Sequence, residues 1–111
     1  MLPVITLPQA DKDSDLFFLY IAKDNSSVAY YFLDMLEEIY QLISSSPKLA
    51  PVFETSNPKL KDIRWFPVKD SPKHLIIYIE SETQITIVRV LHKAQNISEI
   101  LKENLIKSIR I

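Results

Sequence analysis

The sequence contains no cysteine and no glycine. Without a thiol the chain forms no disulfide, has no thiolate nucleophile and offers no thiolate ligand to a metal. Its two histidines are too few for a three-histidine zinc centre. A chain of ordinary composition and this length would hold about eight glycines, and their absence rules out a Walker loop, a GxGxxG turn and a GxSxG nucleophile elbow. Most nucleotide-binding and hydrolase signatures are thereby excluded. Long hydrophobic runs are missing too: the longest, Leu16 to Ala22, is seven residues and falls far short of a membrane span. The opening stretch from Met1 to Pro8 has no basic n-region and is broken by Pro3 and Pro8, so it makes a poor signal peptide. A cytoplasmic protein is expected, with no cofactor, no metal and no membrane partner.

What is present suffices for a core. Of the 111 residues, 47% are hydrophobic and 24% charged, which is the composition of a folded chain rather than a disordered one. One domain spanning 1–111 is expected, with 97–111 as a C-terminal helical extension. The net charge of -1 hides an asymmetry: residues 1–56 carry -5 and residues 57–111 carry +4. A basic half suits an anionic partner, although two oppositely charged halves also attract each other within one fold.

From Asn25 to Ser46 the apolar residues Val28, Tyr31, Phe32, Met35, Leu36, Ile39, Leu42 and Ile43 repeat at the i, i+3, i+4, i+7 spacing of a helix. Asn25 is a suitable N-cap, and the serine run before Pro47 ends the pattern. Gln9 to Lys23 reads as an earlier helix, with Asp11, Asp13 and Asp15 in its first turns, where carboxylates complement the helix dipole. The short link Asp24-Asn25-Ser26 predicts an antiparallel helical hairpin.

The period then changes to two. Ile63 to Val68, His74 to Glu80 and Thr83 to Leu91 are rich in β-branched and aromatic residues, which predicts three antiparallel strands in a meander. Residues 47–60, with Pro47, Pro51, Asn57 and Pro58, read as a connecting loop. Leu2 to Leu7 reads as a short edge strand, since Pro3 and Pro8 lack the donors of a central one. Asn96 can cap a last helix with Ile97, Ile100, Leu101, Leu105 and Ile109 on one side. The expected fold class is therefore α+β: an N-terminal edge strand, a two-helix hairpin packed on a three- to four-stranded antiparallel sheet, and a C-terminal helix. Strict alternation along the last strand puts Ile85, Ile87, Arg89 and Leu91 on one face and Thr86, Val88, Val90 and His92 on the other. Val28, Phe32, Leu36, Ile39 and Ile43 are then expected to face Val88 and Val90. Both faces are largely apolar, so both need a cover.

Three strand segments carry a family likeness. Ile63-Arg64-Trp65-Phe66-Pro67-Val68, His74-Leu75-Ile76-Ile77-Tyr78 and Ile85-Thr86-Ile87-Val88-Arg89-Val90-Leu91-His92 resemble the sheet half of ParE toxins within the RelE/ParE superfamily. Leu19-Tyr20-Ile21-Ala22 with Asp24-Asn25 is similar to that family's junction between helices. The chain departs from the pattern at Lys93, where the family usually has glycine, and at Gln95-Asn96, where it usually has an arginine-aspartate pair. The resemblance implies the toxin of a type II toxin-antitoxin pair of the plasmid-stabilisation kind, bacterial, acting on DNA gyrase and neutralised by a cognate antitoxin. Two alternatives stand beside it. One is a RelE-like endoribonuclease cutting messenger RNA on the ribosome without a metal; the other is a degenerate, non-toxic member that only binds an antitoxin.

RNA cleavage by 2'-hydroxyl attack needs a proton acceptor, a proton donor and cations for the charged transition state. Arg64, Arg89 and His92 could fill parts of that list, with Tyr78 a distant fourth, yet a structural ion pair explains Arg89, a satisfied structural histidine His92 and a core aromatic Tyr78 as well. No dense lysine-arginine cluster is present, and the isoelectric point of about 6.1 does not favour a ribosome-binding nuclease. No catalytic residue is assigned. Arg64, Trp65, Lys69, Lys73, Arg89 and His92 are instead the candidates for contact with a target or antitoxin. An antitoxin tail is expected to set acidic groups against Arg64, Lys69, Lys73 or Arg89 and apolar groups over Ile85 and Ile87, unless the chain's own last helix already covers that face.

Overall fold

A computed structural model describes residues 1–53 and 62–109. In chain order the elements are β1 (Val4–Thr6), α1 (Pro8–Ala22), α2 (Ser26–Ser45), β2 (Ile63–Val68), β3 (Ser71–Glu80), β4 (Ile85–His92) and α3 (Ile97–Ile109). The end of the connecting loop expected over 47–60, including Asn57 and Pro58, lies outside the described residues.

Local chemistry sets the boundaries. Pro8 is the first residue of α1, where its fixed φ and missing N–H do no harm, so the helix starts one residue before the expected Gln9. Asn25 caps α2 by accepting the Val28 N–H on its side chain at 3.2 Å. β3 starts at Ser71 rather than at His74, because the link to β2 is a tight turn in which Asp70 takes φ 62. In a chain without glycine, aspartate is among the residues that enter this left-handed region most readily. Between β3 and β4, Ser81 accepts the Thr83 and Gln84 N–H groups on its hydroxyl and closes the turn.

The sheet order is β1-β4-β3-β2. β2, β3 and β4 form the expected antiparallel meander, but β1 runs parallel to β4, so the sheet is mixed rather than wholly antiparallel. The α1–α2 hairpin is the crossover that allows a parallel pairing between the first strand and the last. The ladder shifts register twice. One shift falls at Pro67/Val68, beside a proline that has no N–H for the ladder. The other falls in β4 opposite Ile77/Tyr78: Ile77 pairs with Arg89 and Tyr78 with Ile87, which leaves Val88 as an extra residue.

That bulge corrects the face assignment. Ile85, Ile87 and Val90 lie on the hairpin side, against Phe32, Leu36, Ile39 and Ile43 of α2 and Ile76 and Tyr78 of β3. Val88 and Leu91 lie on the opposite side with Ile63, Leu75, Ile77 and Leu101. Val88 therefore does not meet the hairpin as strict alternation predicts, and Val28 is exposed rather than packed. Each fully buried leucine or isoleucine contributes on the order of 1.5–3 kcal/mol of transfer free energy, so both faces matter to the fold. The second face is covered from within the chain by Leu101, with Ile97 and Ile100 packed beside it. The side chains of Leu105 and Ile109, expected on the same stripe, lie outside the described residues.

Candidate functional site

The six expected contact residues do not converge. Arg89 is buried, and its guanidinium makes a two-pronged bond to Asp13 of α1, Nε to Oδ2 at 2.6 Å and Nη2 to Oδ1 at 2.8 Å. Asp13 Oδ2 also accepts the Val90 N–H at 3.1 Å. The carboxylate thus neutralises the one buried cation among the described residues and bonds to the backbone just beyond the bulge. Arg64 is half-buried, with Nε 3.3 Å from Glu80 and Nη1 donating to the Ala50 carbonyl at 2.6 Å. Arg89 is thus closed to an acidic tail, whereas Arg64 keeps one edge on an open groove that Lys48 and Glu82 also line. Ile85 and Ile87 lie beneath the hairpin, fully buried, so the expected cover over them is α2 and not a partner.

Of the other four candidates, Lys73 and His92 are neighbours, since His74 pairs with His92, while Lys69 stands beside a different groove. Trp65 packs in the second core and, with Phe53, Leu75, Ile77, Lys93 and Ile97, lines an apolar pocket of about 110 Å³. Lys69 is exposed beside an open groove of about 510 Å³ that Met35, Ile39, Leu42 and Phe66 also line. Lys73 is exposed, and its carbonyl accepts the Lys93 N–H at 2.8 Å. His92 accepts the Ala94 N–H on Nδ1 at 2.9 Å, which places the proton of the neutral ring on Nε2. Tyr78 is fully buried and donates to the Pro47 carbonyl at 2.8 Å; burial pushes its phenol above the usual range. Among the described residues, no three histidine, aspartate or glutamate side chains come together as a metal-binding group.

Three features were not singled out in the sequence. Asp13 reads there as one of three dipole-complementing acids. It shares with Ala10, Phe17 and Ile21 the stripe of α1 that packs inward, so an acid on a helix's apolar stripe and an arginine within an apolar strand were the available signal. His74 was unremarked because it falls at the expected start of a strand. Its ring meets Phe17 at 4.6 Å, Phe32 at 5.1 Å and His92 at 5.1 Å between centroids, and its Nδ1 lies 2.7 Å from the Ser71 hydroxyl. Burial, and secondarily the neighbouring His92, hold its pKa below the ordinary 6.5. The third is the outer side of α1, where Leu16, Leu19 and Tyr20 are 56%, 59% and 70% exposed. Leu16, Leu19 and Tyr20 follow i, i+3, i+4 spacing and form one unburied apolar stripe. It was hidden in the run Leu16 to Ile21, which is apolar on all sides of the helix.

A two-helix hairpin over a mixed four-stranded sheet, entered by a short parallel edge strand, defines the chain as a small α+β protein. The family model described as the ParE toxin of the type II toxin-antitoxin system parDE matches residues 4–97, and the chain belongs to that family. Among solved structures, one described as the chromosomal ParDE toxin-antitoxin system from P. aeruginosa is similar in fold, with a TM-score of 0.66. At 13% identity, that similarity covers 83% of this chain and 96% of the other. A search of curated proteins by sequence gives no match. No helix among the described residues is long and apolar enough to cross a membrane.

Proposed function

We propose that this protein is a toxin that acts by binding DNA gyrase rather than through chemistry of its own, and that a cognate antitoxin neutralises it by covering the outer side of the helical hairpin. Membership of the ParE family supports the toxin and its antitoxin. The observation that carries the surface is the exposed stripe of Leu16, Leu19 and Tyr20 on α1, which has the spacing of anchors for an apolar helical segment. The antitoxin segment would be disordered alone and would fold as it docks. The positions of Arg64, Arg89 and Tyr78 weigh against the nuclease reading, since each is committed to a structural bond. Lys93, in place of the family's usual glycine, has no positive φ, so that departure brings no backbone strain to the turn after β4.

Expression in a bacterium without the neighbouring reading frame tests the toxin reading: growth arrest with filamentation and a DNA-damage response is expected, together with inhibition of purified gyrase. Rapid loss of translation, with message cleavage on programmed ribosomes that disappears in His92→Ala, would replace it with the nuclease. Unimpaired growth would indicate the inert antitoxin-binding member. Leu19→Asp is expected to weaken antitoxin binding at least about tenfold, equivalent to about 1.4 kcal/mol, while leaving thermal stability unchanged, because the side chain touches solvent in the free toxin. Unaltered affinity in that variant would remove the hairpin surface.

A further inference from the structure

The family match ends at residue 97, where α3 begins, so the helix that covers the second face of the sheet lies almost wholly outside the shared pattern. Its described anchors are Ile97, Ile100 and Leu101. The direction in which it leaves the sheet is set by the turn over residues 92–96. There the His92 N–H donates to Gln95 Oε1 at 2.7 Å, the Gln95 N–H returns to the His92 carbonyl at 2.9 Å, and the Ala94 N–H donates to His92 Nδ1 at 2.9 Å. Asn96 then caps α3 through its side chain, accepting the Glu99 N–H at 3.4 Å. An imidazole nitrogen accepts this bond only while the ring is neutral.

We propose that α3 is a cover latched by His92, and that protonation of this imidazole loosens the turn and unseats the helix from the face formed by Val88 and Leu91. The surroundings favour such a response. The His92 ring stands edge-on to His74, at 5.1 Å and 90°. His74 is enclosed by Phe17 from α1 and Phe32 from α2 and faces the Ser71 hydroxyl of its own strand, so it offers a proton on His92 no compensating charge. The flanking charges, Lys73 on β3 and Lys93 in the turn, are both cationic. The carboxylate that α1 brings to β4, Asp13, is bound to Arg89, and Asp70 at the turn into β3 is bound to the Tyr31 hydroxyl. Among the described residues no carboxylate forms an ion pair with either ring. A proton arriving at His92 therefore removes an acceptor, sets a cation against the Ala94 N–H and finds no carboxylate partner.

Hydrogen exchange on the full chain tests this, with each amide's protection expressed relative to its own intrinsic rate at that pH. Between about pH 7.5 and about pH 5.5, which brackets the histidine range, protection at Leu101, Lys102 and Glu103 should fall at least about tenfold more than protection at Ile76 and Val90. Trp65, the chain's single tryptophan, lines the pocket that Ile97 closes, and its emission should shift to the red over the same range. In His92→Asn the side-chain oxygen accepts the Ala94 N–H at every pH, so α3 should stay seated on acidification. A parallel fall in the helix and the strands, or none in either, would overturn the latch. An equal fall in wild type and His92→Asn would do the same.

Discussion

Arg89 is a cation in the interior of an otherwise apolar sheet, and Asp13 is the reason it can stay there. Asp13→Ala would leave the guanidinium buried and uncompensated, at an expected loss of about 3–5 kcal/mol in urea unfolding. The pair is weak support for stability in itself: Asp13→Leu combined with Arg89→Met is expected to recover most of that loss. A loss below about 1 kcal/mol for Asp13→Ala would mean that water reaches the guanidinium. Asp70 presents a different constraint, a positive φ of 62 in a residue that bears a Cβ. Asp70→Asn should be nearly neutral, whereas Asp70→Val is expected to destabilise by about 1–2 kcal/mol, because a β-branched side chain fits that region poorly. Equal stability of the two variants in thermal melts would contradict this. His74 adds a pH dependence. Its folded pKa lies below the unfolded value near 6.5, so its contribution is constant above that value. As pH falls below it, the unfolded chain takes up the proton first and stability declines, levelling off below the folded pKa. His74→Phe should flatten that part of the stability-pH curve while leaving the carboxylate-driven decline at lower pH.

The helices and strands were legible because their signals are periodic and local. The stripe of α2, its Asn25 cap and the β-branched runs of the meander each occupy twenty residues or fewer, and each fixes an element without help from the rest of the chain. The β4 bulge was not legible: Val90 faces the hairpin and Leu91 the other side as period-two counting has them, but one extra residue at Val88 turns Val88 away from the hairpin and brings Ile85 and Ile87 under it, and nothing local in Ile-Val-Arg-Val marks it. The candidate site suffered for the same reason. Whether an arginine is free or paired depends on what stands opposite, and the partner of Arg89 lies 76 residues earlier. The interior side of α1 was equally obscure, because an all-apolar run does not say which of its members face water. α3 permits a direct check of the second core. Truncation before Ile97 would bare Val88, Leu91 and Leu75, and the shortened protein is expected to elute from size exclusion as aggregate. A soluble monomer would show that this face tolerates water.

The molecule has two apolar faces on one sheet and a third apolar strip on its outer helix, and only the third lacks a cover within the described chain. Antitoxin bound there should stabilise the toxin by mass action. At a free antitoxin concentration one hundred times the dissociation constant, the gain is about 2.7 kcal/mol, measurable as a concentration-dependent rise in melting temperature. A melting temperature independent of antitoxin, despite measurable binding, would require the partner to bind the unfolded chain equally well. The parallel pairing of β1 with β4 also governs how the protein comes into being. Val4 sits beside Ile85, so the first strand made has no partner until about 80 further residues have been added. At ordinary synthesis speeds of roughly 5–20 residues per second, that wait is roughly 4–16 s. During it, the hairpin can form while the edge strand lacks its partner in the sheet. Nascent chains still tethered to the ribosome are thus unfinished, and pulse-labelled refolding should show Ile5 and Ile87 gaining protection together, after the helices. If antitoxin docks on the helical surface as proposed, a cell making this protein has those seconds in which the two can meet before the sheet has closed.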